Sequence, residues 1–217
     1  KPLSNPESFI DEVSEEVRRD KLFAAFRKYG WIGVLVVVGV VAGTAWTEWR
    51  KSSAETAARA FGDAILSATE QPTPEARRTA LAGIEATGDR AALLDLMKAS
   101  DPAENRAATL EALARVEADA TAPQAWRDLA TLRRVLVQGK DSALADRRAA
   151  LEGLARPGGT FRPLATEQLA YLLVEEGKTA EAISALQSLL QDQEATQALR
   201  ARARQMIVAL GGEIAAG

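Results

Sequence analysis

The sequence holds 217 residues with a formal net charge of −3 and contains neither cysteine nor histidine. That inventory excludes disulfides, thiol nucleophiles, zinc sites built on Cys or His, and every triad that uses imidazole as its base. The balanced charge leaves no basic surface large enough to suggest a nucleic-acid partner. Aromatic residues make up only 5% of the chain, Ala, Leu, Arg and Glu are abundant, and β-branched residues are few outside one stretch, so an all-α fold is expected.

The chain opens with Asn5-Pro6-Glu7, in which Asn5 can cap a helix, Pro6 can take its first position and Glu7 complements the dipole. Phe9, Ile10, Val13, Val17, Phe23 and Phe26 then recur at spacings near three and four, which predicts an amphipathic helix within residues 1–28. Such a segment either docks a partner or rests its apolar side on lipid headgroups, and its residues leave both readings open.

Residues 29–47 carry no formal charge and are bounded by Lys28 and Glu48. At about 1.5 Å of rise per residue they come close to the roughly 30 Å of a hydrocarbon core, which predicts a single transmembrane helix. Tyr29 and Trp31 at one end, with Trp46 and Trp49 at the other, suit the two interfaces. Arg18, Arg19, Lys21, Arg27 and Lys28 precede the span, against Arg50, Lys51 and Arg59 after it. The positive-inside bias therefore places the N-terminus in the cytoplasm and residues 48–217 on the other side. A cleavable signal peptide is disfavoured, because the charged segment before the span is too long and too acidic for an n-region. Gly39-Val-Val-Ala-Gly43 has the spacing that lets two membrane helices approach, so Gly39, Gly43 and Trp46 are the candidate contact with a membrane partner.

After the span a helix continues from Ser52 to Ser67, and Gln71-Pro-Thr-Pro74 interrupts it. Helices are then expected over 75–86, 90–99, 103–118, 124–138, 143–155, 163–176, 179–191 and 197–210, with Asp or Ser before a Pro or helix former supplying the N-caps. About 165 residues beyond the span suffice for one core. Short helices joined by short turns predict stacked antiparallel pairs, an α-solenoid.

The clearest unit runs from Leu169 to Leu189. The small Ala170 and Ala182 let two helices sit close, and Gly177 permits the turn between them. This unit resembles a tetratricopeptide repeat. Trp126, Leu129 and Ala130 repeat its opening, while Thr166 and Glu194 depart from the repeat's aromatic and proline positions. The whole chain resembles the YfgM family, ancillary subunits of the SecYEG translocon, through Phe9-Ile-Asp-Glu-Val13, Tyr29-Gly30 before the span, Trp49 at its exit and Leu199-Arg-Ala-Arg-Ala-Arg-Gln-Met-Ile207. The resemblance implies a bacterial inner-membrane protein with a cytoplasmic N-terminus and a periplasmic repeat domain. Its implied partners are translocon subunits, periplasmic chaperones and emerging clients. The alternative is a structural accessory subunit of a respiratory or photosynthetic complex.

Catalysis is not expected. Glu175-Glu176, Glu15-Glu16 and Asp11-Glu12 are neighbours that diverge by about a hundred degrees on a helix and read as solvated faces. No Ser-x-x-Lys occurs, and Gly158-Gly159 and Gly211-Gly212 read as a loop and a helix stop rather than phosphate loops. No cofactor, metal or small-molecule substrate is implied. Binding is what a repeat scaffold offers, since the first helices of successive pairs line a concave surface. Placing Leu169 and Leu129 in the repeat register puts the groove at Glu167, Tyr171 and Val174, and at Arg127, Thr131 and Arg134.

Overall fold

The computed structural model describes the backbone of residues 6–213 apart from 102 and 104, and the side chains from residue 27 onward apart from those two and Tyr29. The Asn5 cap, the apolar face from Phe9 to Phe26 and the ring of Tyr29 lie outside the described residues. Among the described residues the chain forms nine α-helices and no strand, so the all-α expectation holds. They are α1 Pro6–Thr69, α2 Pro74–Ala82, α3 Asp89–Lys98, α4 Arg106–Ala118, α5 Gln124–Gln138, α6 Leu144–Leu154, α7 Arg162–Glu175, α8 Thr179–Gln191 and α9 Gln197–Ala209. A 3-10 turn, Gly139–Asp141, links α5 to α6. The chain divides into two units, Lys1–Ala64 and Ile65–Gly217.

The stretches that differ in polarity from Pro6 to Thr69 form one unbroken helix. The reason is the absence of any proline between Pro6 and Pro72; isolated glycines weaken a helix without stopping it. Within its apolar part the polar side chains turn back onto their own backbone. The Thr44 hydroxyl donates to the Val41 carbonyl at 2.9 Å and the Thr47 hydroxyl to that of Thr44 at 2.9 Å. The Trp31 indole N–H donates to the Lys28 carbonyl at 3.1 Å. These bonds give the polar groups of the stretch partners that do not depend on water.

In the second unit, helix starts are fixed by residues other than those expected. Thr73, Asn105 and Thr196 accept from the backbone N–H groups of Ala76, Ala108 and Leu199 at 3.1, 3.0 and 3.2 Å. The Asp and Ser positions read as caps do not serve. Gly88 and Ala143 precede α3 and α6 with no side-chain cap, and α4 begins at Arg106 because Asn105, rather than Asp101, caps it. α2 stops at Ala82, short of the expected Ala86, with Gly83 as its C-cap and the Gly83 N–H donating to the Thr79 and Ala80 carbonyls at 3.2 Å. At the end of α7, Gly177 adopts φ 77°. There Lys178 N–H donates to Leu173 at 2.9 Å and Gly177 N–H to Val174 at 3.0 Å, a Schellman stop.

Each helix from α3 to α8 packs on its successor in the chain, and short connections make neighbours antiparallel. The core accordingly advances in steps. Ala92 and Leu96 of α3 meet Leu113 and Val116 of α4 and Ala130 of α5. Leu132 and Val135 of α5 then join Leu151 and Leu154 of α6 with Ala165 and Leu172 of α7. Ala170 of α7 completes the series with Leu186 and Leu189 of α8 and Leu199, Ala203 and Ile207 of α9. Ala130, Ala170 and Ala182 are fully buried, as close helix approach at the repeat's small positions requires. This is the α-solenoid that the spacing predicts.

Arginines tie the steps together. Arg133 of α5 reaches the carbonyls of Leu96 at 3.2 Å and of Ala99, at the C-terminal end of α3. Arg106 of α4 reaches those of Val137 and Gln138 at 3.0 and 2.9 Å, at the end of α5. A guanidinium at a helix C-terminus satisfies orphan carbonyls and opposes the negative end of the dipole.

Candidate functional site

Gly39, Gly43 and Trp46 lie at i, i+4 and i+7 of α1, which puts them on one face of the helix. All three are exposed, and a Cβ added at either glycine would meet no neighbouring atom within 4 Å beyond the helix's own backbone. Trp46 and Trp49 form a tilted pair with ring centroids 5.4 Å apart. One helix among the described residues, Gly30–Thr69, is long and apolar enough to cross a membrane, with mean hydropathy 1.8 in its most apolar window and none of that window buried.

In the second unit the groove positions separate into two sets with different partners. On α7, Glu167 is 2% exposed. Its carboxylate accepts from Arg202 of α9 at 2.9 and 2.8 Å and from the Tyr171 hydroxyl at 3.0 Å. Burial of the ring, with the Glu167 carboxylate beside it, pushes the Tyr171 phenol up to about 12, so it stays a donor at neutral pH. Leu132 and Leu136 of α5 and Leu164 and Gln168 of α7 stand around this cluster, and together they enclose a groove of about 460 Å³ between α5, α7 and α9. The groove thus has an aliphatic wall, half-exposed at Leu136, and an internally neutralised polar end.

On α5, Thr131 and Arg134 face α4 instead. Both bond to Glu117: the Thr131 hydroxyl at 2.9 Å, and the Arg134 guanidinium at 2.6 and 3.0 Å. Arg127 donates to Gln124 on its own helix, and Val174 is half-buried on α7. The structure therefore brings Glu167 and Tyr171 together at a groove and gives Thr131 and Arg134 a neighbouring helix as partner.

Sequence reasoning did not find Arg202, Glu117 or the leucine wall. Arg202 follows Leu199 at the edge of the buried stripe of α9, but its carboxylate partner stands 35 residues away and no local spacing marks it. Glu175 and Glu176, read as a solvated face, are bound across α6 and α7. Arg147 holds Glu175 at 2.7 Å and Arg148 holds Glu176 at 2.7 Å. Both carboxylates are drawn below their usual range, chiefly by the hydrogen bonds from those arginines, with Lys178 adding to the effect on Glu176. Neighbouring glutamates diverge on a helix, and here neighbouring arginines on the facing helix match that divergence.

Helix pairs with buried small residues at both close-approach positions, a glycine stop between them and first helices lining a groove are the marks of one repeat architecture. The tetratricopeptide repeat-like domain model matches residues 23–210. The chain belongs to that family. No curated protein and no solved structure gives a match. Tetratricopeptide repeat-like domains are protein-interaction scaffolds and typically non-catalytic. The solenoid of α3 to α9 presents such a scaffold, and its groove offers surface for a partner.

Proposed function

We propose that the protein is a single-pass, membrane-anchored binding scaffold of the YfgM kind, associated with the SecYEG translocon and assisting periplasmic chaperones and emerging clients. α1 carries this reading: an unburied helix long and apolar enough to cross a bilayer, on the same chain as a tetratricopeptide repeat-like domain. In this reading residues 1–28 are cytoplasmic, 29–47 span the bacterial inner membrane and 48–217 form the periplasmic domain. The excess of Arg and Lys before the span supports that orientation. Gly39, Gly43 and Trp46 offer a partner helix a shallow face beside an aromatic ridge, which suits contact within the bilayer. The leucine-walled groove at Glu167 and Tyr171 offers the surface for a client or chaperone, with Val174 further along the same helix and Arg127, Thr131 and Arg134 on α5.

Photocrosslinkers placed at positions 39 and 43 in native membranes test the reading. Recovery of translocon subunits is expected. Recovery of respiratory or photosynthetic subunits alone would make the protein an accessory subunit of that complex instead. Reporter fusions at both ends check topology, and a C-terminus in the cytoplasm would overturn the assignment.

A further inference from the structure

The groove between α5, α7 and α9 sets an exposed aliphatic side chain beside a charge pair that is already closed. Among the described residues beyond α1, Leu136 and Val208 are the large hydrophobic side chains left exposed, and Leu136, at 51%, stands in the wall of this groove. An apolar side chain left open in a concave wall is a natural anchor point for a partner.

The polar end of the groove carries opposite charges joined to each other. Both Glu167 oxygens accept from Arg202, at 2.9 and 2.8 Å, and one of them accepts from Tyr171 as well. Arg202 uses Nε and Nη2 in that pair. Its Nη1 takes no part in it, and the side chain is 48% exposed.

This arrangement sorts ligands by charge. A carboxylate brought to Arg202 would lose its water against leucine and face Glu167 across one shared guanidinium. An ammonium brought to Glu167 would meet Arg202 in the same way. A neutral segment meets neither repulsion. Its apolar side chains cover the leucines, and one of its backbone carbonyls can accept from Nη1. Repulsion built against the wrong ligand gives specificity as surely as attraction to the right one.

We propose that this groove binds uncharged, aliphatic-rich peptide segments, and that the Glu167–Arg202 pair is the filter that turns charged ones away. This rests on the reading of the groove as the client surface and adds which clients fit it.

The test is fluorescence anisotropy of a labelled peptide of Leu, Ser and Gly, blocked at both ends, with the full-length protein in detergent. Saturable binding is expected, about tenfold weaker when two Ser are replaced by Asp or by Lys. Leu136→Gln should weaken the neutral peptide about tenfold, and Arg204→Gln, on the exposed face of α9, should bind as the parent does. Uptake of peptide by micelles is the same for all these proteins. Glu167→Gln leaves Arg202 without its partner and should bring the Asp peptide level with the neutral one, about a tenfold gain that lost packing alone would not produce. If that variant does not fold, Arg202→Gln should bring the Lys peptide level instead. No saturable binding of the neutral peptide by the parent would remove the groove as a binding surface, with the anchor reading still decided by the crosslinks at positions 39 and 43. Saturable binding equal for all three peptides, or a charge preference unchanged in Glu167→Gln, would overturn the filter alone. A dimer dispersed by Leu136→Gln would give the groove to a second copy of the chain and overturn the proposal.

Discussion

Arg147 and Glu175 stand 28 residues apart in sequence and meet across α6 and α7 through two hydrogen bonds of 2.7 and 3.0 Å. The arginine side chain is only 7% exposed, and its Nε also donates to the Ser142 carbonyl at 3.2 Å. One buried guanidinium thus fixes the start of α6 and the end of α7 together. Arg147→Met roughly keeps volume and removes all three bonds, leaving the Ser142 carbonyl and the Glu175 carboxylate without this donor. A lower denaturation midpoint is expected, whereas Arg204→Met on the exposed face of α9 should leave the midpoint unchanged.

The core between α7, α8 and α9 gives a larger effect. Leu186 is fully buried there, and Leu186→Ala should cost about 2–5 kcal/mol in chemical denaturation. The opposite error, Ala182→Leu at a fully buried small position, should cost about 1–3 kcal/mol by forcing α7 and α8 apart. Equal stability of Ala182→Leu and the parent would contradict the close packing of this pair.

Two glycines after helices make separate predictions. Gly177 has φ 77°, which an L side chain adopts only at a cost, so Gly177→Ala should lose about 1–2 kcal/mol. Gly212 is limited by space instead. A Cβ there would lie 2.9 Å from a methyl of Ile207 and 3.0 Å from one of Ile183. Gly212→Ala should therefore be less stable than the parent in chemical denaturation, and Ile183→Val should rescue little of the loss, because it removes only the third contact, Cδ1 at 3.1 Å, and keeps the Cγ2 methyl.

The pH dependence should have two separate edges. Glu175, Glu176 and Asp192 all sit below their ordinary values of 4.5, 4.5 and 3.8, chiefly through hydrogen bonds from Arg147, Arg148 and Arg162. A depressed carboxylate binds fewer protons folded than unfolded, so its stabilisation is present at neutral pH and is lost as pH falls below those ordinary values. Tyr171 is raised from 10.0 to about 12, so its contribution is whole below pH 10 and is lost as pH climbs toward 12. With no histidine in the chain, a flat profile between these edges is expected when the denaturation midpoint is followed against pH. Tyr171→Phe should remove the alkaline edge attributable to the phenol and spare the acidic one.

The helices from α5 onward were legible to within a residue or two, because their boundaries rest on local chemistry: Pro123, Gly139, Gly177 and the buried alanines. The repeat register places Glu167 and Tyr171 on one face of α7, since that depends only on spacing within a helix. It places Thr131 and Arg134 equally well on one face of α5, yet Glu117 on the neighbouring helix claims both. Whether a charged side chain meets solvent or a carboxylate depends on how two helices cross, and a window of one sequence does not hold that angle. The same limit explains why Glu175-Glu176 read as solvated, and why Arg202 escaped notice. Residues 1–28, 29–47 and those after 47 differ in polarity, yet α1 runs through them: changes of polarity along a chain mark changes of surroundings, while only proline or a stop motif ends a helix.

The stepwise core also has a mechanical consequence. Because the buried residues of α9 belong to a cluster shared with α8 and α7, tension applied at the C-terminal end would load one small set of contacts at a time, Ile207, Ala203 and Leu199 before Leu186 and Leu189. Such a chain yields by unzipping, helix after helix, at modest and repeated forces rather than in one large rupture. A pull on that end would meet a graded resistance, with the early helices still folded while the last ones give way.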